Sequence, residues 1–141
     1  MEATEKKPIT VETTINAPLE KVWDYWTKPE HITQWSFASA DWHTPTAEND
    51  LRVGGKFSSR MEAKDGSMGF DFGGTYDDVK EHELISYSLG DGRKVEIKFS
   101  AEGDSTKLVE KFDPESTNPV EMQQAGWQAI LDNFKKYVEE N

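Results

Sequence analysis

The sequence predicts an α+β fold, in which a curved antiparallel sheet of about six to seven strands wraps around one long C-terminal helix. Three observations favour this fold. Apolar residues alternate with period two near the N-terminus, further alternating segments separated by turn residues fill 36–113, and the period becomes helical after residue 118. At 141 residues the chain fits a single domain over 1–141, with 1–8 as a loose polar lead-in.

The N-terminal part predicts one strand followed by two short helices. Apolar and polar residues alternate over 9–15, and Pro18 suits the first turn of a helix because its missing N–H costs nothing there. A second helix is predicted to begin at Thr27-Lys28-Pro29-Glu30, which resembles a capping box. A break before Pro29 is expected, because proline cannot continue the first helix.

The central part predicts β-structure throughout. Glycine-containing turns at 53–55, 65–66 and 103–104 separate segments in which apolar residues alternate with polar ones. Short connections favour antiparallel neighbours. The candidate strands are 37–43, 55–62, 69–80, 83–89, 93–101 and 105–112.

The last part predicts a single amphipathic helix. Asn118 is the expected cap and Pro119 the first helical residue. Apolar residues then recur at helical spacing: Trp127, Ile130, Leu131, Phe134, Tyr137 and Val138. This single apolar stripe has to be buried against one large surface, which the curved sheet supplies. A curved sheet and a helix do not fill the space between them easily, so we expect a cavity that binds small apolar molecules.

Composition narrows the function classes. Sixteen basic and 27 acidic residues give a net charge of −11, which disfavours binding to nucleic acids and to anionic membranes. The absence of cysteine excludes disulfides, thiolate catalysis and thiolate metal sites. No apolar run approaches the roughly 20 residues of a membrane span, and the polar N-terminus does not resemble a signal peptide. The cytoplasm is therefore the simplest expected location.

Several motifs, in their order and spacing, resemble those of a known family. They are Asn16-Ala17-Pro18 through Val22-Trp23, Thr27-Lys28-Pro29-Glu30-His31-Ile32 with Trp35, Asp50-Leu51-Arg52-Val53-Gly54-Gly55, Gly73-Gly74-Thr75-Tyr76, and 126–134. Together they resemble the homologues of the activator of heat-shock protein ninety ATPase, in the START-like, or helix-grip, superfamily. The resemblance covers about 9–140 and implies the helix-grip fold. It leaves function open, because that superfamily includes lipid carriers, hormone receptors, cyclases and co-chaperone domains.

Aromatic residues provide most of the expected interior, and a subset of them is expected to line the cavity. For each one the alternative is ordinary core packing, since a domain poor in aliphatic residues needs aromatic residues to fold. The candidates for ligand binding are Trp35, Phe57, Met61, Phe72, Tyr76, Phe99, Trp127 and Leu131.

Arg52 and His43 are polar candidates for the same pocket. Arg52 opens a Gly-Gly turn, where it can bind a carboxylate or phosphate of a ligand or, as the favoured alternative, pair with Asp50. His43 follows a tryptophan and could line the mouth of the pocket.

Glu110 is the third polar candidate, because it shares a strand face with Leu108 and Phe112. If that face points inward, burial should raise the pKa of the Glu110 carboxyl and make it a candidate acid or base. The alternatives are that a neighbouring strand supplies a partner, or that the register turns Glu110 outward.

The sequence leaves three functions open. The first is binding of an apolar, amphipathic or lipid-like small molecule between the sheet and the C-terminal helix. The second is a chaperone-associated stress role through protein contact, and the third is a cofactor-free cyclase or hydrolase that uses Glu110, Tyr76 or His43. No catalytic residue, metal site or cofactor is assigned, because the acidic and histidine residues lack the spacing of metal-binding or hydrolase motifs.

Overall fold

A computed structural model describes residues 8–37, 39–90, 92–115 and 119–141. Its elements follow the predicted order of one strand, two short helices, a run of strands and one long helix. They are β1 (Ile9–Ile15), α1 (Leu19–Thr27), α2 (Pro29–Trp35), β2 (Trp42–Asn49), β3 (Lys56–Ala63), β4 (Gly69–Lys80), β5 (Leu84–Leu89), β6 (Lys94–Glu102), β7 (Ser105–Phe112) and α3 (Val120–Glu140). The predicted α+β class is confirmed. Most of the predicted lead-in at 1–8, and Asn118, lie outside the described residues.

The strands form one seven-stranded antiparallel sheet in the order β1-β7-β6-β5-β4-β3-β2. β2 to β7 follow one another as neighbours, because each connection is short, and β1 pairs with β7 so that Val11 lies opposite Glu110. The sheet curls into a half-barrel, with α3 held in its concave side.

Helices cover both edges of the sheet. Three side chains of α3, Gln124, Gln128 and Lys135, donate hydrogen bonds to carbonyl oxygens of β1. At the opposite edge, Asn49 of β2 donates to the carbonyl of Thr27 at the end of α1. An uncovered strand edge would offer unpaired backbone groups to other chains, so these contacts protect the sheet from edge-to-edge association.

The hydrophobic core lies where α3 and α1 pack against β1, β6 and β7. Leu131, Phe134 and Val138 of α3 are fully buried there, as are Ile97 of β6 and Leu108 of β7. Alternate residues of β6 and β7 are buried, which matches the period-two pattern of their sequences. The predicted apolar stripe of α3 is therefore confirmed as a core face.

Strand β2 differs from its prediction. The sequence placed a strand at 37–43, whereas β2 runs over Trp42–Asn49 and contains Pro45. Its pairing with β3 shifts between His43 and Thr46, and β2 is an edge strand. Proline is tolerated at such an edge irregularity because no ladder hydrogen bond is lost there. Residue 38 of the predicted strand lies outside the described residues.

Two helix starts also differ from their predictions. Thr27 does not cap α2, because its hydroxyl donates to the carbonyl of Trp23 at 2.9 Å, and Lys28 at the cap makes no side-chain hydrogen bond. Pro29 at the first helical position fits the predicted break. In α3, Pro119 occupies the cap position and Val120 is the first helical residue, one residue later than predicted.

Candidate functional site

A cavity of about 220 Å³ lies between the concave face of the sheet and the three helices, and it is partly open to solvent. The strands β3, β4, β5 and β7 form its floor, and α1, α2 and α3 form its roof. Its wall is formed by Trp26, Ile32, Trp35, Ser36, Glu48, Phe57, Ser59, Met61, Phe70, Phe72, Tyr76, Ile85, Tyr87, Glu110, Trp127 and Ile130. The cavity expected from the curved sheet and the long helix is present.

Strand alternation explains which side chains face the cavity. In β3, Phe57, Ser59 and Met61 line it, while the residues between them face the other side of the sheet. At Gly73 of β4 an added Cβ would lie 2.3 Å from the carbonyl oxygen of Phe57. A side chain cannot be placed there, so this glycine allows the close approach of β3 and β4, as expected for a structural glycine.

Most of the cavity wall is aromatic. The ring of Phe57 lies 4.6 Å from that of Tyr87 and 5.2 Å from that of Tyr76. Across the cavity, Phe72 of β4 and Trp127 of α3 form a T-shaped contact with ring centroids 6.0 Å apart. These rings span the floor and the roof, so the cavity offers flat apolar surfaces on both sides.

Glu110 is a buried acidic group on the floor of this cavity. Its residue is 5% exposed, and its neighbours across β1 and β6 are the apolar Val11 and Ile97. Within the part of the chain that the structure describes, no side chain or backbone group forms a hydrogen bond or ion pair with its carboxyl. Burial raises the pKa of Glu110 to about 8, which is the direction expected for an inward-facing carboxyl.

Two tyrosines also contribute polar atoms to the cavity. The Tyr76 hydroxyl donates to Oδ1 of Asn49, and Asn49 in turn donates to the carbonyl of Thr27, so this phenol is held in place. Tyr87 is 6% exposed; burial and then the negative charge of Glu110 raise the pKa of its phenol. Tyr87 and Glu110 both line the cavity, and Glu110 lies two strands from Ile85, the residue two positions before Tyr87 on β5.

The structure divides the predicted ligand-binding residues into two groups. Trp35, Phe57, Met61, Phe72, Tyr76 and Trp127 lie on the cavity wall. Phe99 does not, because its ring packs against Trp23 at 5.0 Å and Trp26 at 6.2 Å in the core. Leu131 is fully buried in the core as well, and its neighbour Ile130 lines the cavity instead.

Arg52 and His43 lie away from the cavity, which corrects their assignment to its polar part. Arg52 is exposed and pairs with Asp50 at 2.9 Å, the alternative that the sequence favoured. His43 is half-exposed, with its Nε2 3.6 Å from a carboxylate oxygen of Glu62 on the convex face of the sheet. Neither side chain can contact a molecule in the cavity.

Other wall residues were not predicted. Ser59 and Tyr87 occupy inward-facing alternate positions of β3 and β5, so the alternation of these strands could have predicted both. Glu48 could not have been found, because β2 was predicted too early in the chain. The remaining unpredicted wall residues are Trp26, Ile32, Ser36, Phe70, Ile85 and Ile130.

Among residues 8–37, 39–90, 92–115 and 119–141, no group of three or more histidine, aspartate or glutamate side chains is arranged to hold a metal ion. None of the helices in these ranges is both long and apolar enough to cross a lipid bilayer.

Comparisons with known proteins identify relatives of this fold. An AHSA1-like protein from Aeromonas hydrophila is 47% identical, with 94% of this chain and 92% of that chain covered and a TM-score of 0.89. A protein from Cytophaga hutchinsonii is 60% identical, with 95% and 93% covered and a TM-score of 0.82. A protein from Chromobacterium violaceum, at 22% identity, shares the fold with a TM-score of 0.83, and 95% of this chain and 99% of that chain are covered. None of the curated proteins matches the chain significantly.

The sequence profile of one family covers most of the chain. Residues 16–139 match the family described as "Activator of Hsp90 ATPase homolog 1-like protein". This match contains the motifs that suggested the resemblance. The chain therefore belongs to the family of activator of Hsp90 ATPase homolog 1-like proteins, within the START-like superfamily.

Proposed function

We propose that this protein binds a small molecule with an apolar body in the cavity between the sheet and the helices. The observation that carries the proposal is a partly open cavity of about 220 Å³ with aromatic rings on its floor and on its roof. Pockets for small ligands are typically concave and mostly apolar, with a few polar groups that orient the ligand. Glu110, Tyr87 and Ser59 would be those polar groups.

The partial exposure of the cavity wall favours a ligand-binding site rather than a packing gap in the core. Phe57, Phe72 and Trp127 are only partly buried, although each packs against other aromatic rings. A ligand that covered them would remove apolar surface from water, at about 25 cal/mol for each Å². Phe70 at the rim is 47% exposed, so the entrance is open to solvent without unfolding of the chain.

A chaperone-associated stress role in the cytoplasm is the second candidate, and it is favoured by the description of the family. An acidic chain with a net charge of −11 could meet a basic patch on such a partner. Its test is a reconstituted chaperone ATPase assay. Stimulation by this protein would support the role, and an unchanged rate together with no chaperone recovered from its own lysate would contradict it.

A cofactor-free enzyme is the third candidate, and the geometry of the cavity reduces the number of its candidate acid–base residues. Glu110 and Tyr76 face the cavity and remain candidate acid–base groups, whereas His43 lies outside. If an activity is found, the variants Glu110→Gln and Tyr76→Phe should reduce it. Activity that is unchanged in both variants would remove this candidate.

The experiment that tests cavity binding uses two neighbouring serines of β3. Ser59 is 6% exposed and lines the cavity, whereas Ser58 faces the opposite side of the sheet. Ser59→Phe should fill the cavity, and Ser58→Phe is the matched control. Native mass spectrometry of protein purified without detergent should detect a reproducible added mass in wild type and in Ser58→Phe, but not in Ser59→Phe.

Titration with neutral 1-naphthaleneethanol complements this measurement, because a molecule carried through purification is not needed. We expect binding to wild type and Ser58→Phe and its loss in Ser59→Phe, with thermal unfolding used to check that both variants fold. Equal binding to all three proteins, or binding to none of them combined with no added mass, would contradict the proposed function.

A further inference from the structure

The cavity wall has an unusual balance of charge for a site that accepts lipid-like molecules. Among the wall residues that the structure describes there are two carboxyl groups, those of Glu48 and Glu110, and no lysine, arginine or histidine. Glu110 lies on the floor and Glu48 is exposed at the rim. Among these described wall residues a carboxylate or phosphate ligand would find no cation to pair with, and it would lie near two carboxyl groups.

Glu110 is the polar group that most needs a partner. It is only 5% exposed and lies among apolar strand neighbours, and no described protein group hydrogen-bonds to its carboxyl. An unpaired buried polar group is destabilising, and buried charges are normally paired. The partner that the described residues do not provide can come from a molecule in the cavity.

We propose that the ligand is an amphipathic amine, with an aromatic or aliphatic body held between the rings and a protonated nitrogen that pairs with the Glu110 carboxylate. This inference rests on the proposed function, because it names the ligand class of the same cavity. The nitrogen would donate charge-assisted hydrogen bonds to a buried carboxylate, which are stronger than bonds between neutral groups. The faces of Tyr87, Trp35 and Phe57 around the cavity would also attract the positive charge.

Binding of an ammonium group would change the protonation of Glu110. With its pKa raised to about 8 by burial, Glu110 is largely protonated at pH 7 in the free protein, so pairing with a cation releases its proton to the solvent. Among the described wall residues, the other titratable groups are Glu48 from β2, Tyr76 from β4 and Tyr87 from β5, and the three helices contribute none. The phenols of Tyr76 and Tyr87 have pKa values raised above 10 and stay neutral at this pH.

Three probes of matched shape test the inference: 1-naphthaleneethylamine, 1-naphthaleneethanol and 1-naphthaleneacetate. They share the naphthalene body and differ in a cationic, neutral or anionic end group. We expect the amine to bind wild type at least about tenfold more tightly than the alcohol, and the acetate most weakly. Calorimetry at pH 7 in two buffers of different ionisation enthalpy should detect release of about one proton with the amine and none with the alcohol.

Two variants distinguish binding of the amine in the cavity from general attraction of a cation to an acidic surface. Glu110→Gln should lose the preference for the amine, so that amine and alcohol bind with similar affinity, whereas Glu102→Gln removes one exposed charge on β6 and should leave that preference as in wild type. All titrations are made at about 150 mM salt, which screens exposed charges more than buried ones. If Glu110→Gln does not fold, the proton release by wild type tests the same pairing without a variant.

The outcomes distinguish the ligand class from the site itself. If the alcohol binds as tightly as the amine and binding releases no proton, the amine inference is wrong, while loss of alcohol binding in Ser59→Phe would still support the cavity as the site. If the amine preference persists in Ser59→Phe, the amine binds elsewhere and the inference is also wrong. If none of the three probes binds, the amine inference is wrong, and the proposed function fails with it when native mass spectrometry also detects no added mass.

Discussion

The buried carboxyl of Glu110 should make the stability of this protein fall as the pH rises. Burial raises the pKa of Glu110 from 4.5 to about 8 in the folded protein. Between these two values the folded state holds a proton that the unfolded state releases. The free energy of unfolding is therefore highest below pH 4.5, as far as this group is concerned, and its contribution is lost as the pH rises towards 8.

The magnitude follows from the size of the pKa shift. A difference of one pKa unit corresponds to about 1.36 kcal/mol, and the interval from about pH 5.5 to 7.5 lies inside the window between the two pKa values. Over this interval wild type should lose about 2.5 kcal/mol of stability through Glu110 alone. In Glu110→Gln the side chain stays neutral, so this loss disappears and the variant gains about 2.5 kcal/mol relative to wild type.

The assay is urea unfolding followed by tryptophan fluorescence at pH 5.5, 6.5, 7.5 and 8.5. The quantity to compare is the difference in the free energy of unfolding between wild type and Glu110→Gln. Both proteins share the repulsion among the other acidic groups, so that repulsion cancels in the difference. Glu102→Gln, which removes an exposed carboxylate, controls for the loss of one charge. A wild-type minus Glu110→Gln difference that is the same at all four pH values would refute the reasoning, since it would mean that the carboxyl is ionised and hydrated in the fold.

Four further substitutions test the packing and the placement of Arg52. Leu131→Ala should cost about 2–5 kcal/mol in urea unfolding, because this side chain is fully buried in the core; a loss below about 1 kcal/mol would contradict that position. Gly74→Ala should lower the melting temperature, since a Cβ there would lie 2.5 Å from the carbonyl oxygen of Ser88, whereas Gly126→Ala in α3 meets no atom within 4 Å and should raise it. Arg52→Ala should leave probe binding and melting temperature unchanged, because the ion pair of Arg52 with Asp50 is exposed. Weaker probe binding by this variant would show that Arg52 belongs to the binding site.

Local periodicity was sufficient to predict most elements of the fold. In β6 and β7 apolar residues alternate with polar ones, and in α3 they recur at helical spacing. These patterns can be seen in the sequence because apolar residues occupy the buried face of each element. The same alternation puts Glu110 on one face with Leu108 and Phe112, and that face is the inner one. Edge strand β2 was predicted poorly, because its pairing shift around Pro45 depends on the neighbouring strand and on no local pattern.

The cavity wall needed the tertiary structure. Leu131 and Ile130 are adjacent apolar residues of one helix, yet Leu131 packs into the core and Ile130 faces the cavity. Phe99 and Phe57 both occupy inward positions of strands, but α1 packs on Phe99 and leaves Phe57 open. The sequence by itself determined which faces are apolar and that Glu110 shares one of them. Only the curvature of the sheet and the placement of the helices decided where those faces touch and where they stay apart, because a cavity is a property of the distance between elements.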